Sequence, residues 1–457
     1  MTVLEAVLIF VAAYLGYALR YLSFPDLLSY LPPAVSFSLS ITIAMIAMGA
    51  HEARMREGFT GMMLRTAVAI FLLGALANAA LSYVLPALAV NRSVLLLSTV
   101  VTFFVLIAWR WLSFYFVSED ALKSRVVILG TGQRALKIAS RMRRSSDQRA
   151  FILSGFIELD SHPGANEVEK LGAKIIHVDG SLLDYCQENA VDEIVVAMDE
   201  RRRNQDASGG IPLEELMECR LSGVRISDVQ QFIEREAGKI DVDLLRPSWM
   251  VFSDGFVTGA WRALTKRSFD IVASLVLLIV AWPFMIMTAL AIWVEGRFSD
   301  PVLYRQQRVG LEGRLFNVLK FRSMRTDAEK DGKEVWVKRN DKRVTRVGAF
   351  IRKSRMDELP QLFNVLKGDM SFVGPRPERP VFVGELTKQI PFYQERHRVK
   401  PGITGWAQLC YPYGASVADS KEKLQYDLYY LKNHSLLLDL IILLHTVEVV
   451  LIGEGAR

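Results

Sequence analysis

Four nearly charge-free apolar runs open the chain, at 3–19, 33–49, 66–85 and 93–117. Each is about long enough to cross a hydrocarbon core ~30 Å thick. They therefore read as four transmembrane helices. A large buried helical core is the alternative, and four such runs in succession argue against it. Basic residues orient the set. Arg54, Arg56 and Arg65 lie between the second and third runs, and Lys123, Arg125 and Arg134 follow the fourth. The other two connections carry Arg20 and Arg92. Basic loops stay in the cytoplasm, so the N-terminus, the 50–65 loop and everything after 117 are expected there. No cleavable signal peptide is expected, because further spans follow the first run.

The remainder of the 457 residues has room for further domains. A 51% apolar content with a mean hydropathy of +0.22 is high for a soluble protein. The net charge of +6 suits an anionic membrane surface or phosphate-rich ligands. Nucleic acid is a poorer match, since the basic residues border apolar segments. Cys186, Cys219 and Cys410 lie far apart, which argues against a disulfide framework or a zinc site. The six histidines are scattered.

Residues 124–236 have a different texture. RVVILG reads as a buried strand, followed by a helix near 133–144 and the strand FILSGFIEL. Further strands are expected at 174–178, in DEIVVAM and in VRI. Strands alternating with helices imply a parallel, Rossmann-like sheet. Its first turn, Gly130-Thr131-Gly132-Gln133-Arg134-Ala135, is a GxGxxA variant of the dinucleotide fingerprint. Gly130 and Gly132 are thus candidates for a nucleotide turn, with Glu158 or Asp160 as the acid after the second strand. A plain tight turn explains the same glycines. Arg201, Arg202 and Arg203 read as part of a solvated loop.

Past a connector, Arg262, Lys266 and Arg267 precede an apolar run from Phe269 to Val294. Arg297, Arg305, Arg308, Arg314 and Lys320 follow it. Both flanks want the cytoplasm, so a straight span would misplace one of them. Pro283 lies mid-run, where it removes a helix hydrogen bond and kinks the helix. A helix that enters one leaflet, bends and returns satisfies both facts. The apolar run at 436–452 carries Asp439, His445 and Glu448, too costly for a lipid-exposed span. It is expected to lie in the interface or to pack on the domain before it.

The stretch KRVTRVGAFIRKSRMDELPQLFNVLKGDMSFVGPRPERP carries the chemistry. Asp357 and Glu358 form an adjacent carboxylate pair just before Pro360 and a helical apolar pattern. Pro favours a first helical turn, which places the pair at a helix start, where anions are welcome. That suggests phosphoryl chemistry; simple helix capping by Asp357 is the alternative. Arg376 and Arg379 sit among Pro375, Pro377 and Pro380, whose rings hold the backbone. Arginine forks suit phosphate oxygens, with surface ion pairs as the other reading.

These motifs resemble the catalytic core of the monotopic phosphoglycosyl transferases, bacterial enzymes that move a sugar-1-phosphate from a nucleotide sugar to a polyprenyl phosphate. The likeness runs from Lys266 to the C-terminus through KRSFDIVAS, LYRQQRVGLEGRLFNVLKFRSMRTDAE, DELPQLFNVLKGDMSFVGPRPERP and KPGITGWAQ. The ending YPYGASV…YDLYYLKNHSLLLDL resembles the sugar transferases of exopolysaccharide clusters. The resemblance implies that Asp357 is a nucleophile forming a phosphosugar-aspartyl intermediate. It implies that Glu358 holds Mg²⁺ against the diphosphate, and that Lys320 and Arg322 touch phosphate or nucleotide. A basic face toward lipid headgroups is the competing reading of those two. Gln408 belongs to a tight loop expected to close the site, and Trp406 either meets the membrane interface or packs. The family's re-entrant helix breaks at a Ser-Pro pair; here the pair is Trp282-Pro283, which keeps the kink without the serine hydroxyl.

The expected architecture is a multi-domain membrane protein. A four-helix transmembrane bundle (1–120) is followed by a Rossmann-like α/β domain (121–238) and a connector (239–262). An α+β catalytic domain (263–457) follows, with a re-entrant helix at 266–295 begun by Lys266 and Arg267. The resemblance implies a UDP-sugar donor and a polyprenyl phosphate acceptor, such as undecaprenyl phosphate. It places the enzyme at the first step of exopolysaccharide synthesis, in a bacterial inner membrane with the catalytic domain facing the cytoplasm. Partners would be other polysaccharide assembly proteins, with a homodimer left open and no nucleic acid. The rival from another class is a membrane-anchored nucleotide-sensing or scaffold protein built on the Rossmann-like domain. A dehydratase or epimerase needs a Tyr-x-x-x-Lys pair, which the sole tyrosine of 124–236, Tyr185, does not supply.

Overall fold

The computed structural model describes residues 2–48, 59–116, 123–141, 151–158, 165–178, 180–198, 212–245, 253, 255–256, 259–298, 300–326, 343–411, 414 and 416–452. Arg54, Arg56, Asp160, Arg201, Arg202 and Arg203 lie outside the described residues. The chain divides into two compact units, Met1–Glu236 and Ala237–Arg457.

The first unit opens with helices α1 (Thr2–Tyr21) and α2 (Leu31–Ala47). Then come α3 (Phe59–Ala67), a wider π-helical stretch (Val68–Gly74), α4 (Ala75–Val84) and α5 (Arg92–Phe116). Val3–Tyr21, Arg65–Val84 and Arg92–Ser113 are long and apolar enough to cross a membrane, and Leu31–Ile46 is a shorter apolar helix. The outward faces are as greasy as the core. Val7, Val11, Phe71, Leu72, Leu96 and Phe104 are exposed, while Ile9, Phe37, Ile41, Ile70 and Leu106 are buried. A surface of that kind belongs in lipid, and the protein is membrane-associated.

Small residues let these helices approach. A Cβ at Gly16 would fall 2.1 Å from Ser98 Oγ, so α1 meets α5 through a glycine. Charge also binds them. Arg110 on α5 donates through Nε and Nη2 to the two oxygens of Glu5 on α1, each at 3.1 Å. Its Nη1 donates to Thr66 Oγ1 on α3 at 2.7 Å. All three residues are buried.

The rest of this unit is an α/β domain. Its strands are β1 (Ser124–Leu129), β2 (Phe151–Ile157), β3 (Ile175–Ile176), β4 (Glu193–Val196) and β5 (Arg225–Asp228). They pair in parallel in the order β3-β2-β1-β4-β5. Between them run α6 (Gln133–Arg141), α7 (Ala165–Lys170), α8 (Leu182–Glu188) and α9 (Leu213–Leu221), and α10 (Val229–Ala237) closes the series. Parallel strands need crossovers, and crossover helices cover both sheet faces. Central β1 accordingly buries Val126, Val127, Ile128 and Leu129 completely. Glu193, buried on β4, receives both Nη atoms of Arg235 from α10.

The second unit begins with chain that packs rather than tethers. Ile240, Val242 and Leu245 share a core with Leu386, Leu424 and Leu428. Helix α11 (Ala260–Glu295) runs 36 residues with Pro283 inside it. An antiparallel hairpin follows, β6 (Leu303–Val309) with β7 (Leu315–Phe321). After it come α12 (Arg346–Lys353), a 3₁₀ turn at Met356–Glu358, α13 (Gln361–Lys367), β8 (Ser371–Val373) and α14 (Pro380–Gln389). A second 3₁₀ segment (Tyr393–Arg398) leads to β9 (Gly402–Thr404), which pairs in parallel with β8. Helices α15 (Trp406–Cys410), α16 (Val417–Asn433) and α17 (Leu436–Ile452) complete the unit.

Both ends of α11 are bonded into this unit. At its start Arg267 donates to the carbonyls of Val365 and Leu366, the free carbonyl end of α13. Asp270 accepts from Ser371 Oγ and Phe372 N. Lys266 meets Asp439 of α17, whose other oxygen takes the Tyr430 hydroxyl. Asp439 is thus buried in protein, and α17 packs on the domain. At the far end Glu295 accepts from the N–H groups of Arg346 and Val347, at the start of α12. Between the two ends Val272, Val276, Ile279, Trp282, Phe284 and Met287 are exposed.

Glu5→Ala should leave the Arg110 guanidinium buried and unpaired, a loss of about 3–5 kcal/mol. We expect a lower unfolding midpoint of the detergent-solubilised protein. The double variant Glu5→Leu/Arg110→Met should recover most of the loss.

Candidate active site

The carboxylate pair lies in the 3₁₀ turn Met356–Glu358, not at the start of the next helix. Pro360 is the N-cap residue of α13, one residue earlier than its preferred first helical position. Arg355 takes a left-handed conformation (φ 58°) that turns the chain from α12 into this turn. Asp357 is 9% exposed, and its Oδ1 is buried and accepts no hydrogen bond among the described residues. Helix capping is therefore not its role.

Glu358 points between two cations. Lys320 Nζ lies 2.9 Å and Arg376 Nη2 3.3 Å from its Oε1. The two carboxyls are pushed apart in acidity. Burial raises Asp357, adjacent Glu358 raises it further, and Lys320, Arg355 and Arg352 oppose them without prevailing. Burial would raise Glu358 too, but Lys320, Arg376 and Arg355 outweigh it and hold that carboxyl far below the usual range. One carboxylate is thus a fixed anion in an ion-pair cluster. The other is a destabilised anion with an unsatisfied oxygen, the better nucleophile of the two.

Lys320 comes from β7, and Asn364 sets that strand. Its Oδ1 accepts from Leu319 N at 2.9 Å, and its Nδ2 donates to Asn317 O at 2.8 Å. The amide reads the strand edge as a neighbouring strand would. Arg376 comes from the Pro/Arg loop after β8. The turn, the hairpin and this loop meet at Glu358.

The other sequence candidates fall elsewhere. Arg379 is the N-cap residue of α14. Buried Arg322 pairs with Asp300 at 2.8 Å and lies against Gly296 at the end of α11. Gln408 Nε2 faces the Ile403 carbonyl at 3.5 Å. Trp406 packs, donating from Nε1 to Gly238 O at 2.7 Å. Lys266 and Arg267 anchor α11 as described. Gly130 adopts φ +109°, and a Cβ there would sit 3.3 Å from the Ala197 carbonyl, so the turn's backbone conformation accounts for that glycine without a bound nucleotide. Thr131, between Gly130 and Gly132, is buried, and its hydroxyl has no partner among the described residues. Among the described residues no three His, Cys, Asp or Glu side chains gather as metal ligands. Asn364, Arg308, Arg396 and Asp427 were missed. The contacts that give them their roles reach backbone atoms or residues remote in sequence, which no local spacing reveals.

A family model described as bacterial sugar transferase matches residues 261–453, and one described as CoA-binding domain matches residues 47–205. The chain is 42% identical over 242 residues to a UDP-N-acetylgalactosamine-undecaprenyl-phosphate N-acetylgalactosaminephosphotransferase of Aeromonas hydrophila, covering 53% of this chain and 56% of that protein. It is 34% identical over 335 residues to an undecaprenyl-phosphate glucose phosphotransferase of Komagataeibacter xylinus, covering 72% and 59%. It is 33% identical over 336 residues to a UDP-glucose:undecaprenyl-phosphate glucose-1-phosphate transferase of Klebsiella pneumoniae, covering 73% and 69%. The matches span little over half the length of the first two relatives.

Asn364→Leu keeps the volume but strands a strand N–H and a carbonyl, each worth about 1–3 kcal/mol when buried unpaired. Thermal unfolding of this variant should show a clear loss, larger than for Asn364→Asp, which retains the acceptor.

Proposed function

The chain belongs to the bacterial sugar transferase family, and from that premise we propose that it transfers a sugar-1-phosphate from a UDP-sugar to polyprenyl phosphate, releasing UMP. The observation that carries the reading is the split carboxylate pair. Asp357 Oδ1 is buried, with no hydrogen bond among the described residues, beside Glu358, which is locked to Lys320 and Arg376.

In the first displacement an Asp357 oxygen attacks the β-phosphorus of the donor. The bond from that phosphorus to the bridging oxygen breaks, and UMP departs with the electron pair. A phosphosugar-aspartyl enzyme remains. In the second, a phosphate oxygen of the polyprenyl phosphate attacks the same phosphorus and the Asp357 carboxylate leaves. Two easier steps replace one hard one. Lys320 and Arg376 lie where they would receive charge gathering on the diphosphate and the departing UMP. Two hard carboxylate oxygens, Asp357 Oδ1 and Glu358 Oε2, have no hydrogen bond among the described residues, a donor set that fits Mg²⁺ completed by substrate phosphates. When bound, Mg²⁺ would shield the like charges of nucleophile and donor.

We further propose that α11 enters the bilayer and returns to the side it left, bent at Pro283. Attachment of both its ends to one compact unit supports this reading, as do the basic residues at both flanks. The four apolar segments of the first unit would cross the membrane as a bundle. The catalytic unit would then face the cytoplasm, where UDP-sugars are made, and its product would begin an exopolysaccharide repeat.

Protein in nanodiscs, given UDP-glucose, UDP-galactose or a UDP-N-acetylhexosamine without acceptor, should release one UMP per active site in a burst. Asp357→Asn should show no burst. A wild-type enzyme that releases UMP only when polyprenyl phosphate is present would exclude the aspartyl intermediate. EDTA should abolish the burst and Mg²⁺ restore it, and Glu358→Gln should need more metal.

The acidity of Asp357 gives a separate expectation. In metal-free protein the Asp357 carboxyl, raised by burial and by Glu358, should titrate above the ordinary Asp value of about 4, read from the pH dependence of its modification by a carbodiimide. A midpoint at or below that value would contradict the buried, charge-crowded setting described for this carboxyl.

A further inference from the structure

The loop carrying Arg376 contains Pro375 and Pro377 and ends at Pro380, so it has few N–H groups with which to tie itself down. It is held through its carbonyls instead. Val373 O accepts from Lys266 Nζ at 3.2 Å and Tyr430 OH at 3.0 Å. Pro375 O accepts from Gly402 N, and Glu378 O from Val309 N, each at 3.0 Å. The two carbonyls between these go to arginine side chains. Arg396 Nη2 donates to Arg376 O at 3.0 Å, and Arg308 Nη1 donates to Pro377 O at 3.1 Å.

Arg396 is only 5% exposed. A guanidinium at that depth must be neutralised and its donors satisfied. Asp427 on α16 does the first, accepting from Nε at 3.0 Å and lying 2.8 Å from Nη2. Tyr393 OH accepts from Nη1 at 2.9 Å. The fork is thus fixed on three sides, and a fourth contact reaches the backbone of the one loop residue whose side chain meets Glu358.

We propose that Arg396, held by Asp427, is a positioning residue that fixes the Arg376 backbone and so aims the Arg376 guanidinium at Glu358 and the donor diphosphate. It touches neither substrate nor the reacting atoms. The inference rests on the reading of Arg376 as a donor-phosphate contact in the proposed reaction. Lysine cannot replace it, because one ammonium cannot serve Asp427, Tyr393 and a carbonyl in fork geometry.

The test uses full-length protein in nanodiscs with UMP release as readout. Arg396→Lys should lower kcat/KM roughly 10- to 100-fold, the scale on which a displaced catalytic contact is felt. Arg376→Lys should lose activity by itself, and the double variant should lose little more than the worse single one, since both act through one side chain. Glu-C digestion after Glu378 reports the loop without activity. Cleavage there should be faster in Arg396→Lys than in wild type while the unfolding midpoint holds. Losses that multiply independently, or equal cleavage rates, would overturn the proposal. Should Arg396→Lys fail to fold, Asp427→Asn gives the same two comparisons with shape retained. A wild-type protein that releases no UMP from any UDP-sugar would instead defeat the functional reading, and the digestion would still decide the loop.

Discussion

The ion cluster at Glu358 is the constraint around which the second unit is arranged. A carboxylate buried beside another carboxylate is tolerable only if cations reach it. Lys320 arrives on a strand and Arg376 on a proline-braced loop, and each of those elements needs its own support. Asn364 supplies the strand's, Arg396 and Arg308 the loop's. Neutralising one charge has thereby fixed the relative places of the hairpin, the 3₁₀ turn and the loop. The same rule operates at three other buried charges among the described residues. Glu5 answers Arg110, Glu193 answers Arg235, and Asp439 answers Lys266, each from a different element.

Much of the fold is legible in periodicity and length. Long apolar runs become apolar helices, and alternating short strands and helices become a parallel five-stranded sheet. The exceptions have local causes. The third apolar run widens into a π-helical stretch ending at Gly74, where a Cβ would meet Ile41; that is a packing demand from another helix, invisible along the chain. The start of the expected connector buries Ile240, Val242 and Leu245, which looked like ordinary loop residues because their partners lie some 140 or more residues further on.

In the site, residue types at short spacing were readable and long-range geometry was not. Asp357, Glu358, Lys320 and Arg376 do gather. Arg322 looked like Lys320's companion two residues on, yet β7 ends at Phe321, and Arg322, past the strand's end, turns to Asp300. Gln408 turns its Nε2 toward its own loop. Asn364, Arg396 and Asp427 escaped because a buried polar residue reads as a surface residue until its partner is known. The sequence puts the carboxylate pair just before Pro360 at a helix start; it occupies a separate 3₁₀ turn ahead of α13, which Pro360 alone does not mark.

The link between Lys266 and Asp439 spans 173 residues of sequence. At ribosomal speeds of about 5–20 residues per second, Lys266 waits roughly 10 to 35 s for its counter-charge to be synthesised. During that interval the apolar helix behind it is already made, while the domain that will hold both its ends is not. If the helix enters the bilayer as proposed, an ammonium still without its counter-charge would favour a first turn held at the lipid–water boundary, where it stays hydrated. The pair that staples the finished domain would then form last, after the helix has met the membrane.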